Sequence, residues 1–328
     1  MLEITRCFHG ILIAGVVSNL IQLLGLIAMR KHNFYLLWII LALLLSGCSQ
    51  FAVRPALQAG DIKEGVLYDL RSQTPVARDH LINAILASDY VVLGERHDNP
   101  LHHELQLWVL QQLQAKQWLT QLNLEMIKPQ QQKNFTALSP AIAEDKAALQ
   151  KALAWPGDGW PWADYDDLVQ FAVKNSISLS SANIDQDQIK ALYKGDIPSP
   201  QVMLNPEAKA SLLRDIEESH CGFIKEPQTS KMLSIQLARD DAMATSLLQA
   251  RRGTALIAGA FHARKDLGFP LHLQQRAANK TLISLALVET DEVATQQKLS
   301  ALAQQYDVIW VTPVHEREDP CAAFTKSK

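Results

Sequence analysis

The sequence predicts an α/β fold: a mostly parallel sheet flanked by helices, with a helical insertion over the carboxyl end of the sheet. Three observations carry that expectation. Short apolar runs recur at 90–93, 121–126, 177–183, 254–260, 281–288 and 307–311. Most are apolar on both faces, as parallel strands covered by helices must be. Between them lie stretches with helical spacing, such as Leu101, Leu105, Val109 and Leu113. From about 184 to 231 no strand pattern is found, and that stretch is expected to form the helices of the insertion.

The chain has 328 residues and a net charge of −3, with no basic run, so nothing in it favours nucleic acid as a partner. Residues 1–47 are expected to be a signal region outside the fold. Met29-Arg30-Lys31-His32 gives a charged start and 34–45 an apolar core. Leu45-Ser46-Gly47-Cys48 then has the form of a lipobox, in which Cys48 is acylated and becomes the new N-terminus. Residues 1–28 form a second apolar run, which points to a true start at Met29, with an extra transmembrane helix as the alternative. A lipid anchor implies a bacterial cell envelope and a tethered rather than spanning protein. Ser49 in place of aspartate after the cysteine favours the outer membrane, facing the periplasm.

Loss of residues 1–47 removes a net charge of +2 and leaves about −5. Residues 48–63 are expected to be the lipidated tether, and 64–328 a single α/β domain. It opens with a small hairpin at 65–69 and 73–76 and a helix at 77–88. Once Cys7 is discarded and Cys48 lipidated, Cys221 and Cys321 remain. Two such thiols in an oxidising compartment are candidates for a disulfide, but sequence gives no Cα separation to decide it.

The polar residues fall at strand ends. The first strand of the parallel set runs into Gly94-Glu95-Arg96-His97-Asp98-Asn99-Pro100-Leu101-His102-His103. Asp98 or Asn99 can cap the following helix, with Pro100 at its first position, where a missing N–H costs nothing. The second strand ends at Glu125, the third at Ser180-Ser181-Ala182-Asn183, and the fourth is followed by His262. In a parallel sheet these converge on one rim, where ligands bind. Singly, each is as consistent with a satisfied structural residue.

A second constellation is Trp155-Pro156-Gly157-Asp158-Gly159-Trp160-Pro161-Trp162-Ala163-Asp164-Tyr165. Its Gly and Pro residues make it a loop. It is either a compact aromatic plug or a flat apolar platform for a planar ligand, with the Tyr165 phenol positioned to bond to it. Tyrosinate is among the few protein ligands for ferric haem iron. A third is Ser219-His220-Cys221-Gly222 followed by the amphipathic stretch Gln236-Leu237-Ala238-Arg239-Asp240-Asp241-Ala242-Met243-Ala244. Arg239 either pairs with Asp240 or another carboxylate, or reaches a ligand carboxylate.

Together Gly94-Glu95-x-His97-Asp98-Asn99, His102-His103, Glu125-Met126, Trp160-x-Trp162-x-x-Tyr165, His220-Cys221-Gly222, Gln236-x-x-Arg239-Asp240-x-x-Met243-Ala244 and Gly259-x-x-His262 resemble the ChaN family. These are bacterial haem-binding lipoproteins, related more distantly to the Tiki and erythromycin-esterase proteins. The match runs in order over about 64–312. The resemblance implies haem held at a subunit interface of a homodimer with a tyrosine on the iron, a role in haem or iron uptake, and an outer-membrane receptor as a further partner. Tyr165 is the position onto which the axial tyrosine is carried, with His103 and His262 as chemical rivals. Trp160 and Trp162 would line the porphyrin, and Arg239 and the rim imidazoles would meet the phenolate or the propionates.

The competing expectation is an enzyme. Glu95, His97, Glu125 and His262 are plausible ligands for a divalent metal such as zinc or manganese. Alternatively, His97 serves as general base with Glu95 orienting it, giving a hydrolase.

Overall fold

In the computed structural model the described residues are 65–322, apart from 136–137, 156, 158, 291–295 and 320. The expected signal region, the Met29 start, the lipobox with Cys48 and the tether to 63 lie outside them.

Eight strands form one sheet: β1 (Val66–Asp69), β2 (Thr74–Val76), β3 (Tyr90–Glu95), β4 (Gln121–Leu124), β5 (Ser178–Ser181), β6 (Thr254–Gly259), β7 (Leu282–Glu289) and β8 (Val308–Thr312). Their order is β2-β1-β8-β7-β3-β6-β4-β5. The neighbours from β8 to β5 are parallel, and β1 runs antiparallel to both β2 and β8. The mostly parallel α/β sheet expected from the apolar runs is thus the sheet observed, with the hairpin added at one edge.

β3 lies between β7 and β6, and every one of its residues is buried. Its alternation sends Val91 and Leu93 into one apolar cluster and Tyr90 and Val92 into the other. Burial on both faces explains why the strand reads as an unbroken apolar run. The helices are α1 (Arg78–Leu86), α2 (Pro100–Ala115), α3 (Gln132–Phe135), α4 (Lys146–Leu153), α5 (Trp162–Lys174), α6 (Gln186–Lys194), α7 (Pro206–Ser219), α8 (Gln228–Leu248), α9 (Phe269–Arg276) and α10 (Gln296–Leu302). One face of the sheet is covered by α1, α2, α4 and α5, through Leu81, Leu105, Leu149 and Leu168 among others. The other is covered by α8, α9 and α10, through Met243, Phe269 and Leu299. The Asn99 side chain caps α2, accepting from the N–H groups of Leu101 and His102, with Pro100 at the first helical position.

The insertion is helical, as its lack of strand pattern implied. Ala208, Leu212 and Ile216 of α7 pack on Leu233 and Leu237 of α8 and on Leu267, beyond the carboxyl end of β6. Leu192 of α6 packs on Ile235 and Ala238 of α8. The segment after α7 is tied to the C-terminal segment by a Cys221–Cys321 disulfide with Cα atoms 5.6 Å apart, which settles the pairing left open by sequence.

Gly94 lets the turn after β6 approach the central strand. A Cβ there would lie 2.9 Å from both Ala260 Cα and Ala263 Cβ, and 3.1 Å from the Leu285 carbonyl oxygen. Backbone atoms on two sides cannot give way like a side chain. Gly94→Ala is therefore expected to destabilise the fold by about 1–3 kcal/mol, the usual cost of overpacking, measured as a lowered urea midpoint.

Candidate functional site

The parallel register sets the ends of β3 and β6 side by side, with Glu95 opposite Gly259. Glu125 follows β4 directly, and its Oε2 accepts a hydrogen bond from the Gly259 N–H at 2.9 Å. The turn after β6 is closed by the His262 N–H on the Gly259 carbonyl, 2.9 Å, which brings the imidazole back over the strand ends. The four residues that sequence placed on one rim, Glu95, His97, Glu125 and His262, do meet there.

Glu95 is the hub. Its Oε1 lies 2.8 Å from His97 Nδ1 and accepts the Tyr165 hydroxyl at 2.7 Å. Its Oε2 lies 3.2 Å from His103 Nε2, near enough for an ion pair, although neither atom is aligned for a hydrogen bond. Glu95 is fully buried, which by itself would raise its pKa; the imidazoles of His103 and His97 outweigh that and hold it down at about 2. Burial works against the charged form of His97, but Glu95 and Glu125 prevail and raise its pKa. Burial and the Glu95 carboxylate push the Tyr165 hydroxyl far above the ordinary phenol range, so it stays protonated and donates.

A second limb is built from α8. Asp240 Oδ1 lies 2.7 Å from His262 Nδ1, and His262 Nε2 lies 3.5 Å from Glu125 Oε1. Burial lowers the His262 pKa, but Glu125 and Asp240 outweigh it and raise the value. Gln236 Nε2 sits 3.1 Å from His262 Nδ1. The sequence pattern drew attention to Arg239 on this helix. The structure instead gives Asp240 to His262 and leaves Arg239 Nε without a hydrogen-bond partner. The i, i+4 spacing of Gln236 and Asp240 was the available signal for one shared helical face.

Other sequence candidates are placed differently from expectation. His102 is a strut, not a ligand: the Arg96 N–H donates to its Nδ1 at 2.9 Å, its Nε2 lies 3.0 Å from Thr312 Oγ1, and burial drives its pKa down to about 4. The aromatic loop forms a plug, not an open platform. Trp155 packs on Trp162 at 5.2 Å and donates its indole N–H to the Trp160 carbonyl, and Trp160 meets His97 edge-on at 4.6 Å. Tyr165 lies beneath this plug, only 1% exposed. Among the described residues no group of three or more His, Cys, Asp or Glu side chains has a geometry that could hold a metal ion. Glu95 and Asp240 engage the Nδ1 atoms of His97 and His262, and both Nε2 atoms face Glu125.

Fold and strand-end cluster together define an α/β protein with a charged, mostly buried network at the carboxyl ends of its parallel strands. The family profile described as "Haem-binding uptake, Tiki superfamily, ChaN" matches residues 81–273, more than half of the chain. The chain belongs to that family. Among solved structures, cofacially haem-bound ChaN of Campylobacter jejuni aligns with 77% of this chain and 98% of its own, at 24% identity and a TM-score of 0.67, and shares the fold. An erythromycin esterase variant in its open conformation aligns with 77% of this chain and 99% of its own, at 9% identity and a TM-score of 0.48. No curated protein matches.

The charge network makes stability depend on pH in two ways. Glu95, with its pKa lowered from 4.5, stabilises the fold above about pH 4.5, and that contribution is lost as the pH falls toward about 2. His97 and His262, with pKa values raised above 6.5, stabilise it fully below about pH 6.5 and lose that contribution as the pH rises through the folded values. Urea midpoints should therefore peak between the two limbs, and Glu95→Gln should flatten the acid limb.

Proposed function

We propose that the chain is a lipid-anchored haem-binding protein of the bacterial cell envelope that carries or stores haem for iron acquisition. Cys48 supplies the anchor, and a second copy of the chain completes the haem site. Membership of the haem-binding ChaN family supports haem as cargo. The observation that carries the position of the site is the surface of the insertion. Of the six exposed large apolar side chains among the described residues, four lie there: Tyr193, Ile197, Met203 and Phe223. A porphyrin face needs exposed apolar side chains of this kind to lie against.

Haem iron held by a phenolate needs a tyrosine able to lose its proton at the surface. Tyr165, the residue onto which sequence carries that role, is buried and donates a hydrogen bond to Glu95. Tyr193 on α6 is the exposed tyrosine among the described residues, 38% accessible, and Lys231 Nζ lies 4.8 Å from its ring centroid. The fit favours Tyr193 as the oxygen donor, with Lys231 as a cation suited to a propionate. The Campylobacter relative holds its haems cofacially; two copies of this chain meeting through the insertion would stack theirs in the same way.

Haemin titration of the soluble chain from Ser49 should give a saturable tyrosinate-type spectrum and a shift from monomer to dimer in sedimentation. Tyr193→Phe should lose the charge-transfer band and at least about tenfold in affinity, or ~1.4 kcal/mol, while Tyr165→Phe keeps the band. The reverse result would return the ligand to Tyr165. For the anchor, Cys48→Ser in the full chain should move the protein from the membrane to the soluble fraction on ultracentrifugation.

A further inference from the structure

A cleft of about 690 Å³ lies between the edge strand β5, the loop 197–200 and one face of α8, away from the strand-end network. We propose that it is a binding site for a neutral saccharide of one or two rings. Of the four exposed apolar residues of the insertion, Ile197 is the one that also lines it. The proposal does not rest on the haem reading.

The cleft originates in the pattern of α8. One side of that helix carries Met243, Ala244 and Leu247 onto the sheet, and Ile235 and Ala238 meet Leu192 of α6 and Ile184. Ala238, Ala242 and Ser246 then follow one another at steps of four, which sets three small side chains in a row along the helix. No large side chain on that row reaches across to α6 or β5, so the space between them stays open. The facing wall is stiff, because Pro198 and Pro200 fix the backbone of the loop. A wall already held in place lowers the ordering cost of binding. The volume falls within the roughly 300–1,000 Å³ of small-ligand sites.

The polar groups are held from behind and keep spare capacity. The Ser246 hydroxyl donates to the Met243 carbonyl at 2.7 Å and accepts from Asn123 Nδ2 at 2.9 Å. The Thr245 hydroxyl donates to the Asp241 carbonyl and accepts from Arg276 Nη1, both at 2.7 Å. Each hydroxyl oxygen can still accept one more hydrogen bond. Arg276 Nη1 also lies 3.1 Å from Asp241 Oδ1, which leaves Oδ2 to accept from a ligand. Gln188 accepts the Asp185 N–H through its Oε1 and keeps its Nε2 donors. Gln249, exposed at the end of α8, adds a second amide.

These features select the ligand class. Asp241 is the single charged side chain lining the cleft among the described residues, and Arg276 offsets it. A phosphate or carboxylate ligand would therefore meet a carboxylate with no lining cation to receive it. A wholly apolar ligand would strip water from the hydroxyls and amides without replacing their hydrogen bonds. A peptide adding to the sheet is blocked, because the Gln132 amide already occupies the edge of β5. Its Oε1 accepts the Ser181 N–H at 2.7 Å and its Nε2 donates to the Leu179 carbonyl at 3.2 Å. A sugar ring meets both demands: its hydroxyls pair with Asp241 and the amides, and its C–H face lies on Ala238, Ala242 and Leu192.

The test is calorimetric titration of the soluble chain from Ser49 with glucose, N-acetylglucosamine and maltose, with glucose 6-phosphate as the charged control. Amide shifts in ¹⁵N-correlated spectra locate the site. At least one neutral sugar should titrate saturably, with shifts gathered on β5, the loop 197–200 and the second half of α8, and glucose 6-phosphate should bind more weakly. Ala242→Phe, which fills the row of small side chains, should abolish binding. Asp241→Asn keeps the shape of the wall and should weaken binding about tenfold, the difference between a charged and a neutral acceptor. No saturable titration by any of the three sugars, shifts centred outside the cleft, glucose 6-phosphate binding as tightly as glucose, or an affinity unchanged in both variants would each overturn the proposal.

Discussion

A carboxylate buried at the end of the central strand sets the conditions for everything around it. Glu95 has lost its water, and its charge is tolerated because imidazoles and a phenol surround it. A buried charge without such partners costs several kcal/mol, so each partner's position is constrained by the others. His97 is pulled back over the strand, the start of α2 is turned so that His103 faces inward, and α5 is held with its phenol beneath the aromatic plug. The second limb repeats the device with Glu125 between His262 and the Gly259 amide. The chemistry of the rim is thus the same set of contacts that holds three strands and three helices in register.

The molecule separates two surfaces. The strand ends present a polar, charged, mostly buried network with one imidazole at the mouth. The insertion presents exposed apolar side chains among charged ones, with Lys231 beside Tyr193. Both surfaces rest on α8, whose residues pack on α6 and α7 and also supply Asp240 to His262. That helix is the physical link between them.

What was legible in the sequence follows from period and from order. Parallel strands buried on both faces leave unbroken apolar runs, so β3 to β8 could be placed, and residues following such runs had to share a rim. Glu95, His97, Glu125 and His262 were found on that basis. Direction was not legible. Whether the Tyr165 phenol points outward to a ligand or inward to Glu95 depends on how α5 packs against α2, and no local pattern encodes it. Asp240 was hidden behind Arg239, because the face of α8 that meets His262 is chosen by its packing on the sheet. Tyr193 drew no attention because a tyrosine beside Leu192 on a short polar helix looks like surface; only the exposure of Ile197, Met203 and Phe223 around the same insertion gives it meaning.

The Cys221–Cys321 bond joins positions 100 residues apart. During synthesis the first thiol emerges long before the second, and β6, β7 and β8 must all be made before the clasp can close. Until then the insertion is held by the packing of α6 and α7 on α8 and by contacts such as those of the Met203 backbone with the Gln275 side chain and of Asp215 with Arg264. A chain made in a reducing compartment would therefore complete its sheet yet keep an unclasped insertion, and the order of events ends with the apolar surface fastened last.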